Sequence, residues 1–262
     1  MDGVRVFGQE RYRARFEWGL AGAEAVAAGA AFVAVVDVLS FTTALSVAVE
    51  HGVAVLPYPW RDDSAAEAAA RHGAELAVGR SVAGPDEISL SPAAIRRVAA
   101  QRSIERLVLP SPNGSAISAH LAGGRADGSD GVTVVGVSLR NAAAAAVWVR
   151  ERAAGRTVAV IAAGERWPDG SLRPAVEDLW GAGAFLDGFG DRSPEAEVAV
   201  AAYRSVSDRL PEALAEAGSG RELAAIGFGD DVVIAGEVGS TDVVPVLHEG
   251  WYRRAAPTGE KR

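Results

Sequence analysis

A pattern that occurs four times constrains the fold most: a short β-branched run, a polar turn, then an alanine-rich stretch. It appears in AFVAVVDVLS–FTTALSVAVEHG, RLVLPSPNGS–AISAHLA, GVTVVGVSLRN–AAAAAVWVRERAAG and TVAVIAAGERWPDGSLRP–AVEDLWGAGAFLDGF. The runs lack strict polar alternation, which is typical of strands buried on both faces. The sequence therefore predicts an α/β fold with three layers, α/β/α, around a mostly parallel or mixed sheet, as one unit or as two closely packed lobes.

Shorter patterns predict further elements. A helix is expected at Ala21–Ala28, and strands are expected at Phe32–Asp37, Val53–Pro59, Ala74–Arg80 and Val232–Val238.

Two helix starts and several loops are also predicted. Asp62, Asp63 and Ser64 suit the start of one helix, and Ser91 before Pro92 suits the start of another. No linker or domain boundary emerges, so a single domain over residues 1–262 is expected, with a mobile loop at 124–131 and a flexible tail at 254–262.

Composition excludes several classes of function. The chain is 49% hydrophobic with a net charge of −8, and its pI near 5.1 disfavours nucleic acid or an anionic membrane as a partner. It contains no cysteine, which excludes disulfides and thiolate chemistry, and its four histidines are scattered without metal-ligand spacing. No run reaches the ~18 apolar residues of a membrane span. We expect a cytoplasmic protein, and a homodimer only because homodimers are common.

Polar side chains follow the first predicted strand where it ends. Asp37 closes that strand, and Thr42 and Thr43 stand at the start of the next helix. Ligands of open α/β sheets bind beyond the carboxyl ends of the strands, and helix N-termini favour anions. A carboxylate there is a magnesium ligand, a phosphoryl acceptor or an ordinary helix cap. The residues alone leave these alternatives open.

Later turns carry further candidates. Ser111, Asn113, Gly114 and Ser115 form a turn that suits either an anion seat or a simple change of direction. The other candidate anion-binding residues, each with a surface or capping role as its alternative, are Arg80, Arg140, Asn141 and Arg166.

Acidic residues crowd the segment AAGERWPDGSLRPAVEDLWGAGA, which includes Glu165, Asp169, Glu177 and Asp178. Paired acids beside small residues suit a metal-centred site, and solvated helix charges are the alternative.

Taken in order, these segments resemble the 2-phosphosulfolactate phosphatase family. The residues that carry the resemblance are DVLSFTT, VGR, SPNGSA, SLRNA, the AAG…VEDLWGAGA segment and IGFGDDVVIAGEVGSTDVVPVL, spread from Val33 to Leu247. Their order, and especially N-G-S, E-D-x-x-x-A-G-A and D-V-V-P-V-L, makes the resemblance specific at family level.

The resemblance implies a magnesium-dependent phosphatase of coenzyme M biosynthesis, acting on a three-carbon acid that bears phosphate and sulfonate. It implies Asp37, Glu177 and Asp178 as ligands of Mg²⁺ and, with Asn113, as catalytic residues. The substrate would be bound by Thr42, Thr43, Arg80, Ser111, Gly114, Ser115, Arg140, Asn141 and Arg166.

The chain departs from the family pattern near two of these residues. Ser40 stands where many members have arginine, and VGRSVAGPDEISLSP around Arg80 replaces a G-E-R turn. Losing an arginine removes a bidentate clamp for an anion. The departures therefore favour two alternatives to the family reaction: a phosphatase with a changed substrate, or a non-catalytic binder of small anions.

Overall fold

The computed structural model describes residues 7–60, 62–80, 82–84, 87–123 and 131–256. The strands among these residues are β1 (Ala14–Trp18), β2 (Phe32–Val36), β3 (Ala54–Tyr58), β4 (Glu75–Leu76), β5 (Arg106–Pro110), β6 (Thr133–Val137), β7 (Val158–Ala162), β8 (Glu165–Arg166), β9 (Leu172–Arg173), β10 (Pro245–His248) and β11 (Trp251–Arg254).

The helices among the described residues are α1 (Gly19–Val26), α2 (Phe41–Glu50), α3 (Asp63–His72), α4 (Pro92–Gln101), α5 (Gly114–Gly123), α6 (Ala142–Ala153), α7 (Val176–Leu186), α8 (Pro194–Arg204), α9 (Leu210–Glu216), α10 (Gly218–Ala225) and α11 (Gly229–Ala235). The predicted starts are confirmed for two of them: Asp62 accepts the N–H of Ser64 at α3, and Ser91 accepts the N–H of Ala94 at α4.

The main sheet is mixed. In the described residues it has the strand order β1-β7-β2-β6-β10-β11-β3-β5-β4, and β8 pairs separately with β9. The strands β1, β7, β2 and β6 are parallel, and so are β3, β5 and β4. Between these blocks, β10 is antiparallel to β6 and β11, and β11 is antiparallel to β3. By this chain of pairings the two parallel blocks run in opposite directions, and the predicted α/β fold with a mixed sheet is confirmed.

Apolar clusters cover both faces of the sheet. Val36 of β2 belongs to a cluster with α6, α7 and α8, whereas Val35 belongs to a cluster with α1, α2 and α5. Successive side chains of a strand point to opposite faces, so the continuous run FVAVV is what a central strand needs. The structure therefore has the predicted three layers. Among the described residues, no helix has the length and apolar character that a membrane crossing requires.

Several predicted elements differ in the structure. Val232–Val238 is not a strand: its first residues lie in α11, because a short β-branched run is compatible with a helix when its buried positions recur at helical spacing. Ala74–Arg80 contributes only the two residues of β4 and an isolated bridge at Val78. Of the predicted tail, Arg254 ends β11, and residues 257–262 lie outside the described residues, as do residues 124–130 of the predicted loop.

Candidate active site

The carboxylate of Asp37 lies where two helices begin. Asp37 directly follows β2 and is 5% exposed. Its Oδ1 accepts the N–H of Phe41, the first residue of α2, at 3.2 Å, and its Oδ2 accepts the N–H of Gly114, the first residue of α5, at 2.8 Å. The first N–H groups of a helix have no partner within the helix and favour negative charge. Two junctions 77 residues apart in sequence therefore meet at one carboxylate.

The two junctions meet although their strands are not neighbours in the sheet. Asp37 follows β2 and Gly114 follows β5, strands that are separated in the sheet and belong to the two opposite blocks. The helix α5 instead packs across the sheet face against β2, β3 and β6, which brings its first turn to Asp37.

Gly114 permits the close contact between the two junctions. A Cβ at this position would lie 2.5 Å from Cδ1 of Phe41 and 2.7 Å from Oδ2 of Asp37. Any larger residue would push the first turn of α5 away from the carboxylate. Only a residue without a side chain fits here, and this explains why glycine follows Asn113 in the turn.

Acidic side chains surround Asp37. Glu177 and Asp178 open α7 and are 3% and 2% exposed. Burial, followed by the charges of Glu165 and Glu177, raises the pKa of Asp37 to about 6, against the lowering effect of its two backbone hydrogen bonds. Burial and the charges of Asp37 and Glu177 raise the pKa of Asp178 above its usual range. The cluster therefore disfavours the charged forms of both carboxyl groups.

Asp178 fastens two loops to the start of α7. Its Oδ1 accepts the N–H of Val38 at 2.7 Å, and its Oδ2 accepts the N–H of Gly164 at 2.9 Å. The helix approaches closely because Gly181, one turn on, leaves room for Val36 and Val38: a Cβ there would lie 2.8 Å from each side chain. Asp178 thus holds the loop that contains Asp37 in place.

Glu177 differs from its neighbour because its carboxylate accepts no hydrogen bond from the described residues. In the described part of the chain, no group of three acidic or histidine side chains forms a ready-made metal cage. The oxygens of Asp37 and Asp178 each accept a backbone N–H, whereas the carboxylate of Glu177 and Oε2 of Glu165 accept no hydrogen bond from the described residues.

The turn after β5 contributes polar groups next to Asp37. The hydroxyl of Ser111 lies 3.5 Å from Oδ2 of Asp37 and accepts the N–H of Asn113 at 3.3 Å. The side-chain amide of Asn113 donates to Oε1 of Glu165 at 2.9 Å. The structure therefore assembles around the carboxylate the predicted residues Ser111, Asn113 and Gly114. It adds Glu165, which the sequence did not identify as a site residue.

Three predicted substrate-binding hydroxyls instead hold the backbone. Thr42 Oγ1 donates to the carbonyl of Asp37, Thr43 Oγ1 donates to the carbonyl of Val38, and Ser115 Oγ donates to the carbonyl of Leu109. All three hydroxyls are buried. They shape the two turns, and their oxygens are directed at the chain itself.

Arg80 joins the site through Ser40. Its Nη2 donates to Oγ of Ser40 at 2.5 Å, and its Nε and Nη2 donate to Oδ2 of Asp231 at 3.2 and 3.1 Å. Asp231 is fully buried and also accepts the hydroxyl of Ser91. The peptide bond between Leu39 and Ser40 is cis. Sequence reasoning missed Asp231 because its segment was interpreted as a strand, and the pair Asp230–Asp231 before an apolar run was the available signal for a helix start.

The predicted residue Arg140 lies away from the Asp37 carboxylate. Arg140 is 2% exposed and binds Glu50 at 2.8 Å and Glu237 at 3.2 Å, at the far end of α2. Glu50 stands roughly 13 Å along that helix from Phe41, at about 1.5 Å per residue.

Asn141 follows Arg140, and its side-chain oxygen accepts the N–H of Ser138 while its amide donates to the carbonyls of Gly136 and Val243. It makes no side-chain cap to α6, so the capping alternative for Asn141 is wrong. Arg166 is exposed and donates to the carbonyl of Gly170.

Comparison with known families agrees with this geometry. A family model described as 2-phosphosulpholactate phosphatase matches residues 23–250, nearly the whole chain, and so includes every residue of the site described above. The chain therefore belongs to the 2-phosphosulpholactate phosphatase family, a family of phosphoric monoester hydrolases.

Proposed function

We propose that this chain hydrolyses a small phosphorylated acid of the 2-phosphosulfolactate type to the hydroxy acid and phosphate, with Mg²⁺ as cofactor. The observation that carries the proposal is the Asp37 carboxylate, buried at the starts of two helices and surrounded by Glu165, Glu177 and Asp178. Buried acids with raised pKa values in a polar site are characteristic of catalytic centres.

The reaction transfers a phosphoryl group to water. The oxygen of a water molecule forms a bond to phosphorus as the ester P–O bond breaks, and the leaving alkoxide takes a proton from solvent water. Asp37 accepts a proton of the water at Oδ1, the oxygen with the longer amide contact of 3.2 Å.

The polar turn after β5 binds the phosphate. Ser111 and the side-chain amide of Asn113 offer donors beside the carboxylate, and Glu165 orients that amide through the 2.9 Å contact. Arg80, held by Asp231, pairs with the acid group of the substrate.

The acidic cluster fits Mg²⁺. This ion takes oxygen ligands, keeps several waters and needs only one or two carboxylates besides a substrate phosphate, so a cage of three side chains is not required. Asp37 and Glu177 are the ligands in this proposal, and Asp178 supports them through its bonds to the two loops. When bound, Mg²⁺ supplies positive charge to the phosphoryl oxygens.

Phosphate release from small phospho-acids, measured with Mg²⁺ and with EDTA, tests the proposal. Asp37→Asn should lower kcat/KM by about 10³-fold, because it removes the proton acceptor. Asp208→Asn, an exposed aspartate outside the site, is the matched control and should leave the rate unchanged.

Other outcomes would overturn single parts of the proposal. Release that is equal in EDTA would remove Mg²⁺ from the proposal, and an unchanged rate in folded Asp37→Asn would remove Asp37. Binding of phospho-acids in a thermal-shift assay without any phosphate release would select the non-catalytic alternative.

A further inference from the structure

A large cleft lies beside Arg80. Its volume is about 910 Å³, and most of the side chains that line it are apolar, among them Leu76, Val78, Val82, Leu90, Ile226 and Phe228. Val82 is 72% exposed and Ile226 is 60% exposed. Exposed apolar side chains that gather in one concave surface mark a binding site more often than an ordinary surface.

The cleft adjoins the Asp37 site at two points. Pro110 lines the cleft, and the hydroxyl of the next residue, Ser111, lies 3.5 Å from Oδ2 of Asp37. Arg80 also lines the cleft, and its Nη2 contacts Ser40 in the loop that Asp37 begins. A ligand held at Asp37 can therefore extend along Arg80 into the cleft.

Arg80 is the charged group at this boundary, and it is fixed in place. Asp231 holds Nε and Nη2, and the guanidinium carbon lies 5.4 Å from the centre of the Phe228 ring. Nη1 makes no hydrogen bond to the part of the chain that the structure describes. A guanidinium held by an acid on one side and an aromatic ring on another is pre-organised to bind a carboxylate or sulfonate with its remaining donors.

The size and lining of the cleft do not match a three-carbon acid alone. Clefts of roughly 300–1,000 Å³ hold ligands of drug size, and a small phospho-acid fills a minor part of such a volume. Asp62 and Asp63 also line the cleft and would repel an anionic extension, and a polar extension beside Ile226 and Phe228 would leave its polar atoms unpaired.

We infer that the substrate of this chain is a phospho-acid with an apolar substituent: its phosphate binds at Asp37, its acid group pairs with Arg80, and an aryl or branched alkyl group lies in the cleft beside Ile226 and Phe228. This inference rests on the proposed phosphatase function and narrows its substrate class.

Phosphate release from 2-phospho-3-phenyllactate and from 2-phospholactate tests the inference. The kcat/KM for 2-phospho-3-phenyllactate should be at least about 10-fold higher than that for 2-phospholactate, because the phenyl ring moves from water into the cleft. Ile226→Asp, at an exposed position, should bring the ratio of the two values close to one. Val198→Asp replaces a valine that is 62% exposed outside the cleft, and it should keep the wild-type ratio.

Binding of the products separates this inference from the function on which it rests. Calorimetry should show that 3-phenyllactate binds more tightly than lactate, and that Ile226→Asp removes the difference. Tighter binding of phenyllactate without phosphate release from either ester would keep the cleft assignment and overturn the proposed function. Equal release from both esters, or equal binding of both acids, would overturn the cleft assignment.

Discussion

Two neighbouring strand-to-helix junctions share a local pattern and differ in what their polar atoms do. The strands β2 and β6 are parallel partners, and each ends in a polar turn before a helix. Asp37, after β2, lies buried among other acids, and burial followed by the charges of Glu165 and Glu177 raises its pKa. Asn141, after β6, uses its side-chain oxygen on Ser138 and its amide on Gly136 and Val243.

Arg140, the charged residue at the junction after β6, also has its donors used within the fold. Arg140 is paired with Glu50 and Glu237. Burial opposes the shift at Glu50, but the hydrogen bond and charge of Arg140 lower the pKa of that carboxyl group. The pKa of Glu237 is lowered chiefly by its hydrogen bond with Arg96, and Arg140 adds to this effect. A strand-end position therefore indicates where polar side chains gather. Whether they can act on a ligand depends on whether the fold has already used their hydrogen bonds, and only the first junction keeps capacity for a substrate.

Gly114→Ala should cause a large loss of activity, because it separates the two helix starts at the first junction. The new methyl group would lie 2.5 Å from Phe41 and 2.7 Å from the Asp37 carboxylate. We expect a loss of more than about 100-fold in kcat/KM and about 1–3 kcal/mol in the free energy of unfolding. Phosphate release measures kcat/KM, and urea denaturation measures the free energy of unfolding.

Gly123→Ala provides the control for that substitution. It lies at the other end of α5, where an added Cβ meets nothing within 4 Å. Its activity and stability should match those of the wild type. Full activity in Gly114→Ala would show that the contact between α5 and Asp37 is dispensable.

Asn141→Ala should instead act on stability. It would leave the N–H of Ser138 and the carbonyls of Gly136 and Val243 without their buried partner. We expect a loss of about 2–4 kcal/mol in the free energy of unfolding, measured by urea denaturation. The activity of the variant should be measured at a temperature where it stays folded. A drop in kcat/KM as large as that of Gly114→Ala would show that Asn141 acts in the substrate site, and that the two junctions do not differ in this respect.

The fold was largely predictable because its central strands are apolar on both faces. The run FVAVV permits only a strand with a layer on each side, and this gives the three-layer α/β arrangement. The strand β4 and the helix α11 were beyond prediction, since both are short and periodicity does not distinguish a strand from a helix over so few residues.

The site was predictable in its location and less so in its roles. Asp37, Gly114 and Asp178 stand at junctions that the turn pattern identified. The pairing of Arg80 with Asp231 was not predictable, because it joins residues 151 apart through tertiary packing. For the same reason the sequence could not show that the partners of Arg140 lie at the far end of α2.

The pH dependence of stability should distinguish the first junction from a typical acidic site. Burial raises the pKa of Asp37 from 3.8 to about 6, so the unfolded chain releases this proton at lower pH than the folded chain does. The contribution of Asp37 to the free energy of unfolding is therefore fully present below about pH 4 and is lost as the pH rises through 6. Relative to Asp37→Asn, the wild type should lose about 1–3 kcal/mol between pH 4 and pH 7.

Urea denaturation of both proteins at several pH values measures that difference. Asp208→Asn, the exposed control, should keep the pH dependence of the wild type. A wild type that gains stability relative to Asp37→Asn over this range would mean that a cation or a donor balances the carboxylate.

Glu237→Gln should give the smallest effect, and one of opposite sign. Arg96 binds Glu237 with both terminal nitrogens at 2.7 and 2.6 Å, and this contact is the main reason that its pKa is lowered. The stabilisation is present above the unfolded pKa of about 4.5 and is lost as the pH falls through the lowered value. Because the side chain is 31% exposed, solvent screens the pair, and we expect a loss of only about 0.5–1 kcal/mol at pH 7.

The sign of this effect matters more than its size. Urea denaturation should show that Asp37→Asn becomes less stable relative to the wild type as the pH falls from 7 to about 4, and that Glu237→Gln narrows its gap to the wild type as the pH falls further, below about 4.5. Opposite slopes mean that one junction is built around balanced charge and the other around charge that awaits a partner. Slopes of the same sign would show that the two junctions are electrostatically alike, and the position of Asp37 at two helix starts would then not be enough to identify it as the reactive group.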